Sequence, residues 1–78
     1  MQSSGQMVVA SRLSDGRVVF LGTGAQWVED LQLGALARHK DEGEALLQSA
    51  RKAEAANQVV EAYLITVETI AGKRRATD

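Results

Sequence analysis

The sequence predicts a small α+β domain, an antiparallel sheet of three to five strands with one helix packed on it, in the order β-β-β-(β)-α-β. Three observations lead to this prediction. Two apolar, β-branched segments flank Asp15-Gly16, one helical pattern begins at Asp41, and an alternating segment lies near the end of the chain. We expect a single domain over residues 7–71, a disordered lead-in at 1–6 and a polar basic tail at 72–78.

The composition excludes several classes of function. The 78 residues include no Cys and one His, so neither a disulfide nor a thiolate metal site can form, and we expect no metal or other cofactor. The net charge of −1 lacks the basic field of a nucleic-acid-binding protein, so no nucleic acid is expected as a partner. No apolar run is long enough to span a bilayer, and the polar N-terminus is unlike a signal peptide, which indicates a cytoplasmic protein without membrane contact.

The first two strands, Val8–Leu13 and Arg17–Leu21, are predicted to form a hairpin because Asp15-Gly16 suits a type I′ turn. A two-residue loop places Leu13 opposite Val18 and Ser11 opposite Phe20, whereas a three-residue loop shifts the register by one. Both faces of this hairpin are apolar. One face carries Val9, Leu13, Val18 and Phe20, and the other carries Val8, Ala10, Val19 and Leu21.

One helix covers only one face of a small sheet, so the second apolar face needs a cover of its own. A second copy of the chain is one interpretation, and a loop or the C-terminal tail is the other, with equal weight. Trp27 suits core or dimer-interface packing better than stacking on a ligand. The candidate interaction surface is therefore Val8, Ala10, Val19, Leu21 and Trp27.

The segment Gly22-Thr23-Gly24 has the spacing of part of a nucleotide-binding loop but is predicted to be a second hairpin turn. The dinucleotide motif needs a third Gly and an immediate helix, whereas Trp27-Val28-Glu29 has the residues of a third strand. In the next ten residues helical and strand patterns compete. We favour a turn at Asp30–Gln32 followed by a short strand at Gly34–Ala37.

The helix is predicted over Asp41–Asn57. Asp41 with Glu44 three residues later forms a capping box, and Asn57 suits the left-handed residue that ends a helix. The apolar face of this helix carries Leu46, Leu47, Ala50 and Ala53, with Asn57 on the same side. The last strand is predicted over Val59–Ile70, with Tyr63, Ile65 and Val67 on its core face.

No combination of residues in the sequence predicts catalysis. Glu29-Asp30 and Asp41-Glu42 are paired acids, but one pair ends a strand and the other opens a helix, where structural roles are favoured. His39 lies between two cations, and Lys73-Arg74-Arg75 is interpreted as a solubilising tail. Arg12 and Arg17 flank the first turn and are candidate contacts for a small anion such as sulfite or sulfate.

Three parts of the chain together resemble a known protein family: the hairpin RLSDGRVV with its flanks (Ala10–Leu31), the later helix, and VVEAYLITVE (Val59–Glu68). The similarity is to the domain of unknown function 2849, a family of short proteobacterial proteins, and it covers nearly all of the chain apart from the two tails. Arg38-His39-Lys40 departs from the family, which usually carries acidic residues there. The resemblance implies a cytoplasmic bacterial protein associated with sulfite reduction by gene neighbourhood, and it implies no catalytic residues.

We therefore expect a small accessory or interaction protein without catalysis of its own, with a homodimer and a sulfur-assimilation enzyme as candidate partnerships. The alternative is a regulatory domain that binds a small anion or ligand, either at Arg12 and Arg17 or in a pocket beside Trp27.

Overall fold

In the computed structural model, which describes residues 3–77, one helix packs on a curled antiparallel sheet of five strands, so the predicted fold class is confirmed. The spatial order of the strands is β3-β2-β1-β4-β5. Among the described residues, no helix is long and apolar enough to cross a membrane. The elements in chain order are β1 (Ser3–Arg12), β2 (Val18–Leu21), a 3₁₀ turn (Thr23–Ala25), β3 (Trp27–Val28), a second 3₁₀ turn (Leu31–Leu33), α1 (Lys40–Ala55), β4 (Val59–Ile70) and β5 (Lys73–Ala76).

The first hairpin has a wider loop than predicted. Val9 lies opposite Phe20 and Ser11 opposite Val18, and the Arg12 amide donates to the Arg17 carbonyl at 2.8 Å, which leaves a loop over residues 13–16. The predicted pairing of Leu13 with Val18 is therefore wrong by two residues. Because the shift is even, both predicted faces of the hairpin survive it.

The Asp15 side chain stabilises this wider loop. The Asp15 carboxylate accepts a hydrogen bond from the Arg17 amide at 3.1 Å and two from the Arg12 guanidinium at 3.1 and 2.7 Å. Gly16 takes a left-handed backbone, with φ +72°, and Asp15 does not. A type I′ turn needs both central residues in that region, so the four-residue loop forms instead.

Helix α1 begins at Lys40, one residue before the predicted start, and its N-cap lies two residues before the predicted cap Asp41. His39 is the N-cap residue, and the Glu42 carboxylate accepts the Arg38 and His39 amides, both at 3.2 Å. The predicted capping pair of Asp41 and Glu44 is wrong, since Glu42 is the residue that reaches back to the cap. The helix ends at Ala55, two residues before the predicted bound, but the predicted left-handed role of Asn57 is confirmed, because Asn57 has φ +61° and follows the C-cap residue Ala56.

The helix covers one face of the hairpin completely. Ala50 is fully buried against the sheet, and small side chains at this face let the helix axis approach closely. The core beneath it consists of Val8, Ala10, Val19, Leu21, Val59 and Ala62, with Leu46, Leu47, Ala53, Leu64 and Trp27 partly buried around it.

Strand β4 has the predicted bounds but contains a β-bulge. The register with β1 shifts between Val9 and Ser11, and Glu61 on β4 has φ +57°. The extra residue places both Val59 and Ala62 on the helix side, where both are buried. On the other side Val67 is buried as predicted. Tyr63 is 56% exposed, so its assignment to the core is wrong.

The residues between β3 and α1 close part of the second sheet face. The Asp30 carboxylate caps the 3₁₀ turn by accepting the Gln32 amide at 2.9 Å. Further on, Gln6 and Ala37 exchange two backbone hydrogen bonds of 2.8 Å as an isolated bridge. The predicted turn at Asp30–Gln32 is thus present, whereas the predicted strand at Gly34–Ala37 is reduced to that bridge. Met7 is fully buried on this face.

Both chain ends differ from the expected boundaries. Residues 3–6 belong to β1 and pair with β4. At the other end, Ala71 and Gly72, with φ +53° and +80°, form a tight turn that returns the chain as β5. Ala rarely adopts this backbone, so the sequence pattern did not indicate the hairpin. Residues 1, 2 and 78 of the expected lead-in and tail lie outside the described residues.

Candidate interaction surface

An apolar area on the second face of the sheet is exposed to solvent. Two rows of residues cross its three central strands. Ser11 lies between Val18 and Val60, and Val9 lies between Phe20 and Tyr63. Val18, Val60 and Tyr63 are 57%, 38% and 56% exposed, while Val9 is nearly buried and Phe20 half-buried between them. We call Val9, Val18, Phe20, Val60 and Tyr63 the open patch.

The open patch carries no charge in either row, and its three exposed side chains are β-branched or aromatic. Such residues pack well on the pleated face of another sheet. A contiguous exposed apolar area on a small protein usually marks a contact with another molecule. The patch is therefore the strongest candidate for an interaction surface among residues 3–77.

The surface predicted from the sequence is the opposite face. Val8, Ala10, Val19 and Leu21 are 0%, 3%, 0% and 1% exposed because α1 lies directly over them. Trp27 is half-buried beside the same core, which agrees with its predicted packing role. The expectation of two apolar hairpin faces holds, but the helix occupies the face that had been assigned to a partner. Periodicity places residues on faces and does not tell which face the helix covers.

The two candidate anion-binding residues lie in a compact set of ion pairs, which we call the hairpin ion cluster: Arg12, Asp15, Arg17 and Glu29. Besides its contacts with Asp15, Arg12 donates to Glu29 at 3.2 Å, and Arg17 donates to Glu29 at 2.9 Å. Two guanidinium groups thus face two carboxylates. A sulfite or sulfate ion would have to displace a carboxylate already paired there, so this geometry does not favour the predicted anion contact.

The pKa values in the cluster reflect this pairing. The hydrogen bond from Arg12, followed by that from the Arg17 amide, lowers the pKa of Asp15 to about 2. The hydrogen bonds from Arg17 and then Arg12 lower the pKa of Glu29, and those of Arg12 with Asp15 and Glu29 raise the pKa of Arg12. Both carboxylates are therefore held ionised. A general acid at neutral pH needs the opposite shift.

A third paired carboxylate binds the bulge in β4. Glu54 on α1 accepts the Ala62 amide at 3.1 Å and the Arg51 guanidinium at 2.8 Å. These two hydrogen bonds, that of Arg51 first, lower the pKa of Glu54. A bulge leaves a backbone amide without a partner in the neighbouring strand, and here a side chain of the helix satisfies it.

The basic residues near the end of the chain divide into two roles. The Arg74 guanidinium donates to the Leu31 and Gly34 carbonyls at 3.2 and 2.6 Å, so it joins β5 to the second 3₁₀ turn. Arg75 pairs with Glu68 at 3.3 Å. The interpretation of Lys73-Arg74-Arg75 as a solubilising tail is therefore wrong for Arg74, whose partners lie 40 and 43 residues away in sequence.

Over the described part of the chain, no three His, Cys, Asp or Glu side chains come together as a metal site would require. His39 is exposed at the start of α1.

A shallow open groove of about 460 Å³ runs between α1 and β2. Trp27 pairs with Leu21 at its edge. Trp27 itself is not among the residues that line the groove, so the pocket beside Trp27 stays a prediction. The groove is lined by Leu21, Ser49, Lys52, Ala53, Ala56 and Gln58.

The architecture and surface define a one-helix, five-stranded antiparallel α+β domain with an exposed apolar sheet face. The chain belongs to the family described as Protein of unknown function (DUF2849), whose family model matches residues 6–77, nearly the whole chain. This confirms the family resemblance found in the sequence. No curated protein and no solved structure matches the chain.

Proposed function

We propose that this protein is a non-catalytic interaction module whose open patch packs against the same patch of a second copy. The observation that carries the proposal is the exposure of Val18, Val60 and Tyr63 side by side on a sheet face that α1 does not cover. An antiparallel sheet with two apolar faces reaches its most stable state when both are buried.

A second copy is favoured over an unrelated partner by the neutrality of the patch. An uncharged apolar surface is complementary to itself, and a two-fold axis through it pairs each row with its equivalent. A surface that selects a different protein usually carries charges that match the partner and repel wrong ones. Neither row of the open patch has such a charge.

The accessible surface area of the molecule also supports a second copy as the partner of the open patch. Its accessible surface is 5056 Å², whereas a monomer of its mass of 8.4 kDa typically exposes about 4600 Å². A stable dimer buries roughly 800 Å² from each copy. Removal of that area would bring the exposed surface per chain below the monomer value. Small domains commonly gain stability through such association.

The absence of catalysis is part of the proposal. The carboxylates whose pKa values are shifted are all paired with Arg and held ionised, which supports structural roles for them. We further propose that the dimer is a cytoplasmic accessory to a sulfite-reducing enzyme or its electron donor, which rests only on the family resemblance given above.

Sedimentation velocity over a concentration series tests the dimer. The wild-type chain should sediment as a dimer at high micromolar concentration, and the double variant Val18→Thr/Tyr63→Ser should sediment as a monomer. Leu33→Ser is the matched control because Leu33 is 66% exposed but lies on the second 3₁₀ turn, outside the open patch. A wild-type monomer at that concentration, or an equal effect of Leu33→Ser, would refute the proposed dimer.

The accessory role needs a separate experiment. Tagged wild-type protein and the double variant are each mixed with purified sulfite-reductase components and recovered on the tag. Retention of a component by the wild-type protein supports the role. Failure of every component to bind refutes the named partner and leaves the dimer to be judged by sedimentation alone.

A further inference from the structure

We infer that the groove between α1 and β2 binds a small amphipathic carboxylate, with the anionic head at Lys52 and the apolar body along Leu21, Ala53 and Ala56. This site lies on the helix side of the sheet, away from the open patch. The inference is therefore independent of the proposed dimer.

The shape of the groove follows from the sequence of α1. Ser49, Lys52 and Ala53 of the helix and its C-cap residue Ala56 recur at spacings of three and four residues, so they lie on one side of the helix. Two alanines on that face leave a trough where larger side chains would have filled the space above Leu21. The volume of about 460 Å³ falls within the roughly 300–1,000 Å³ of small-molecule sites.

The charge of the groove selects the sign of its ligand. Lys52 is the one formally charged residue that lines it, and no carboxylate of the described residues forms an ion pair with Lys52. The nearby Arg51 is paired with Glu54 at 2.8 Å, and the hairpin ion cluster balances its own charges. A single uncompensated ammonium beside apolar walls therefore attracts an anion that also has an apolar part.

The polar lining completes the recognition of a carboxylate. The Ser49 hydroxyl and the Gln58 side-chain amide are groups that can donate hydrogen bonds to a carboxylate, and both residues line the groove with Lys52. A lysine in the last turn of a helix also interacts favourably with the helix dipole, which accounts for Lys52 alone. The small residues beside Lys52 leave room for the apolar part of such a ligand.

The test uses three probes that separate charge from apolar contact. Octanoate carries both features, acetate carries only the carboxylate, and octylamine carries the same chain with the opposite charge. Titration of the ¹⁵N-labelled chain should show saturable shifts of the Ser49, Lys52, Ala53 and Gln58 amides with octanoate. Acetate and octylamine should bind far more weakly. Equal binding of octanoate and octylamine, or no saturable shift with octanoate, would overturn the inference.

Variants locate the site. Lys52→Gln should weaken octanoate binding about fivefold, as expected from loss of an exposed ion pair, and Ala53→Leu should abolish it by filling the trough. Lys40→Gln is the matched control, since it removes the same charge at the other end of α1. Ala56→Leu provides a second filling variant at an exposed position if Ala53→Leu does not fold. Unchanged affinity in Lys52→Gln or in the folded filling variant would refute the site.

The readout also distinguishes this site from the dimer. Titration of the Val18→Thr/Tyr63→Ser variant should give the same affinity as the wild-type chain, because the open patch is on the other face. Loss of octanoate binding in that variant would show that the ligand occupies the patch and not the groove, which would overturn the inference.

Discussion

The side-chain amide of Gln32 forms two hydrogen bonds with the backbone of Arg74. Its NH2 group donates to the Arg74 carbonyl and its oxygen accepts from the Arg74 amide, both at 2.9 Å. A side-chain amide has the same donor and acceptor as a peptide unit, so Gln32 pairs with the outer edge of β5 as another strand would. This contact joins β5, one edge strand, to the turn that follows β3, the other edge strand. It also occupies polar groups that would otherwise invite pairing with another chain.

Gln32→Ala removes both of these hydrogen bonds. We expect the free energy of unfolding to fall by about 1–2 kcal/mol, from two net hydrogen bonds at the surface. Urea denaturation measures the loss, and hydrogen exchange of the Arg74 amide should accelerate. Gln48→Ala is the control, because Gln48 is exposed on α1. Equal denaturation midpoints for the two variants would mean that the Gln32 contact contributes nothing.

Truncation of the neighbouring residues Val18 and Val19 to alanine should affect different properties, self-association for Val18 and monomer stability for Val19. Val19 is fully buried under α1 and Val18 is 57% exposed on the open patch. Val19→Ala should cost about 1.5–3 kcal/mol of monomer stability. Val18→Ala should leave the stability of the dilute monomer nearly unchanged and weaken self-association. Denaturation at low micromolar concentration together with sedimentation at high concentration separates the two effects. If Val19→Ala weakened self-association and Val18→Ala lowered monomer stability, the interaction surface would lie on the helix side and not on the open patch.

The contrast between these two residues shows what the sequence could determine. Alternation along β1 and β2 assigned the faces correctly even though the loop length was wrong, because an even register shift preserves the side of every residue. The helix, the left-handed Asn57 and the bounds of β4 were also predictable from local signals. The side on which α1 packs depends on the path between β3 and α1, where the pattern was ambiguous.

Tyr63 shares the face of Val67, as predicted, but lies in an exposed part of that face, whereas the bulge at Glu61 changes the face of Val59. A strict two-residue period across β4 predicts that Val59 and Tyr63 share a face, whereas the extra residue sends Val59 to the helix side. The partners of Glu54 and Arg74 were unpredictable for a related reason. Each binds backbone groups that come into reach only after the chain has folded.

Two glycines should tolerate alanine very differently. A Cβ on Gly5 would lie 2.6 Å from the Ala37 carbonyl oxygen. This oxygen belongs to the backbone and accepts a hydrogen bond from the Gln6 amide, so it cannot move aside without breaking that hydrogen bond. A Cβ on Gly43 would meet the flexible end of the Gln6 side chain at 2.9 Å and Leu64 at 3.7 Å.

Gly5→Ala should therefore destabilise the fold by about 1–3 kcal/mol through overpacking and loss of the bridge. Gly43→Ala should be neutral or stabilising, by up to about 1 kcal/mol, because alanine favours the helix interior. Thermal unfolding of the two single variants gives the comparison. A stable Gly5→Ala chain would show that the segment over residues 34–37 does not pack on β1 as described.

The hairpin ion cluster should make stability fall in acid. The pKa of Asp15 is lowered from its ordinary 3.8 to about 2, so the unfolded chain binds a proton at higher pH than the folded chain does. The stabilisation is therefore complete above the ordinary pKa and is lost as the pH falls from about 4 through about 2. Glu29 and Glu54, whose pKa values are also lowered, act in the same direction below about 4.5.

Thermal unfolding between pH 7 and pH 2 measures this dependence. The wild-type melting temperature should be nearly constant down to about pH 5 and then decline, and molar salt should reduce the decline because the paired groups are exposed. Asp15→Asn should start from a lower melting temperature at pH 7 and decline less in acid, since the variant has lost the group that titrates. Asp41→Asn, which removes a carboxylate outside the cluster, should retain the wild-type decline. An acid profile of Asp15→Asn parallel to that of the wild-type chain would show that the Arg12–Asp15 pair does not stabilise the hairpin.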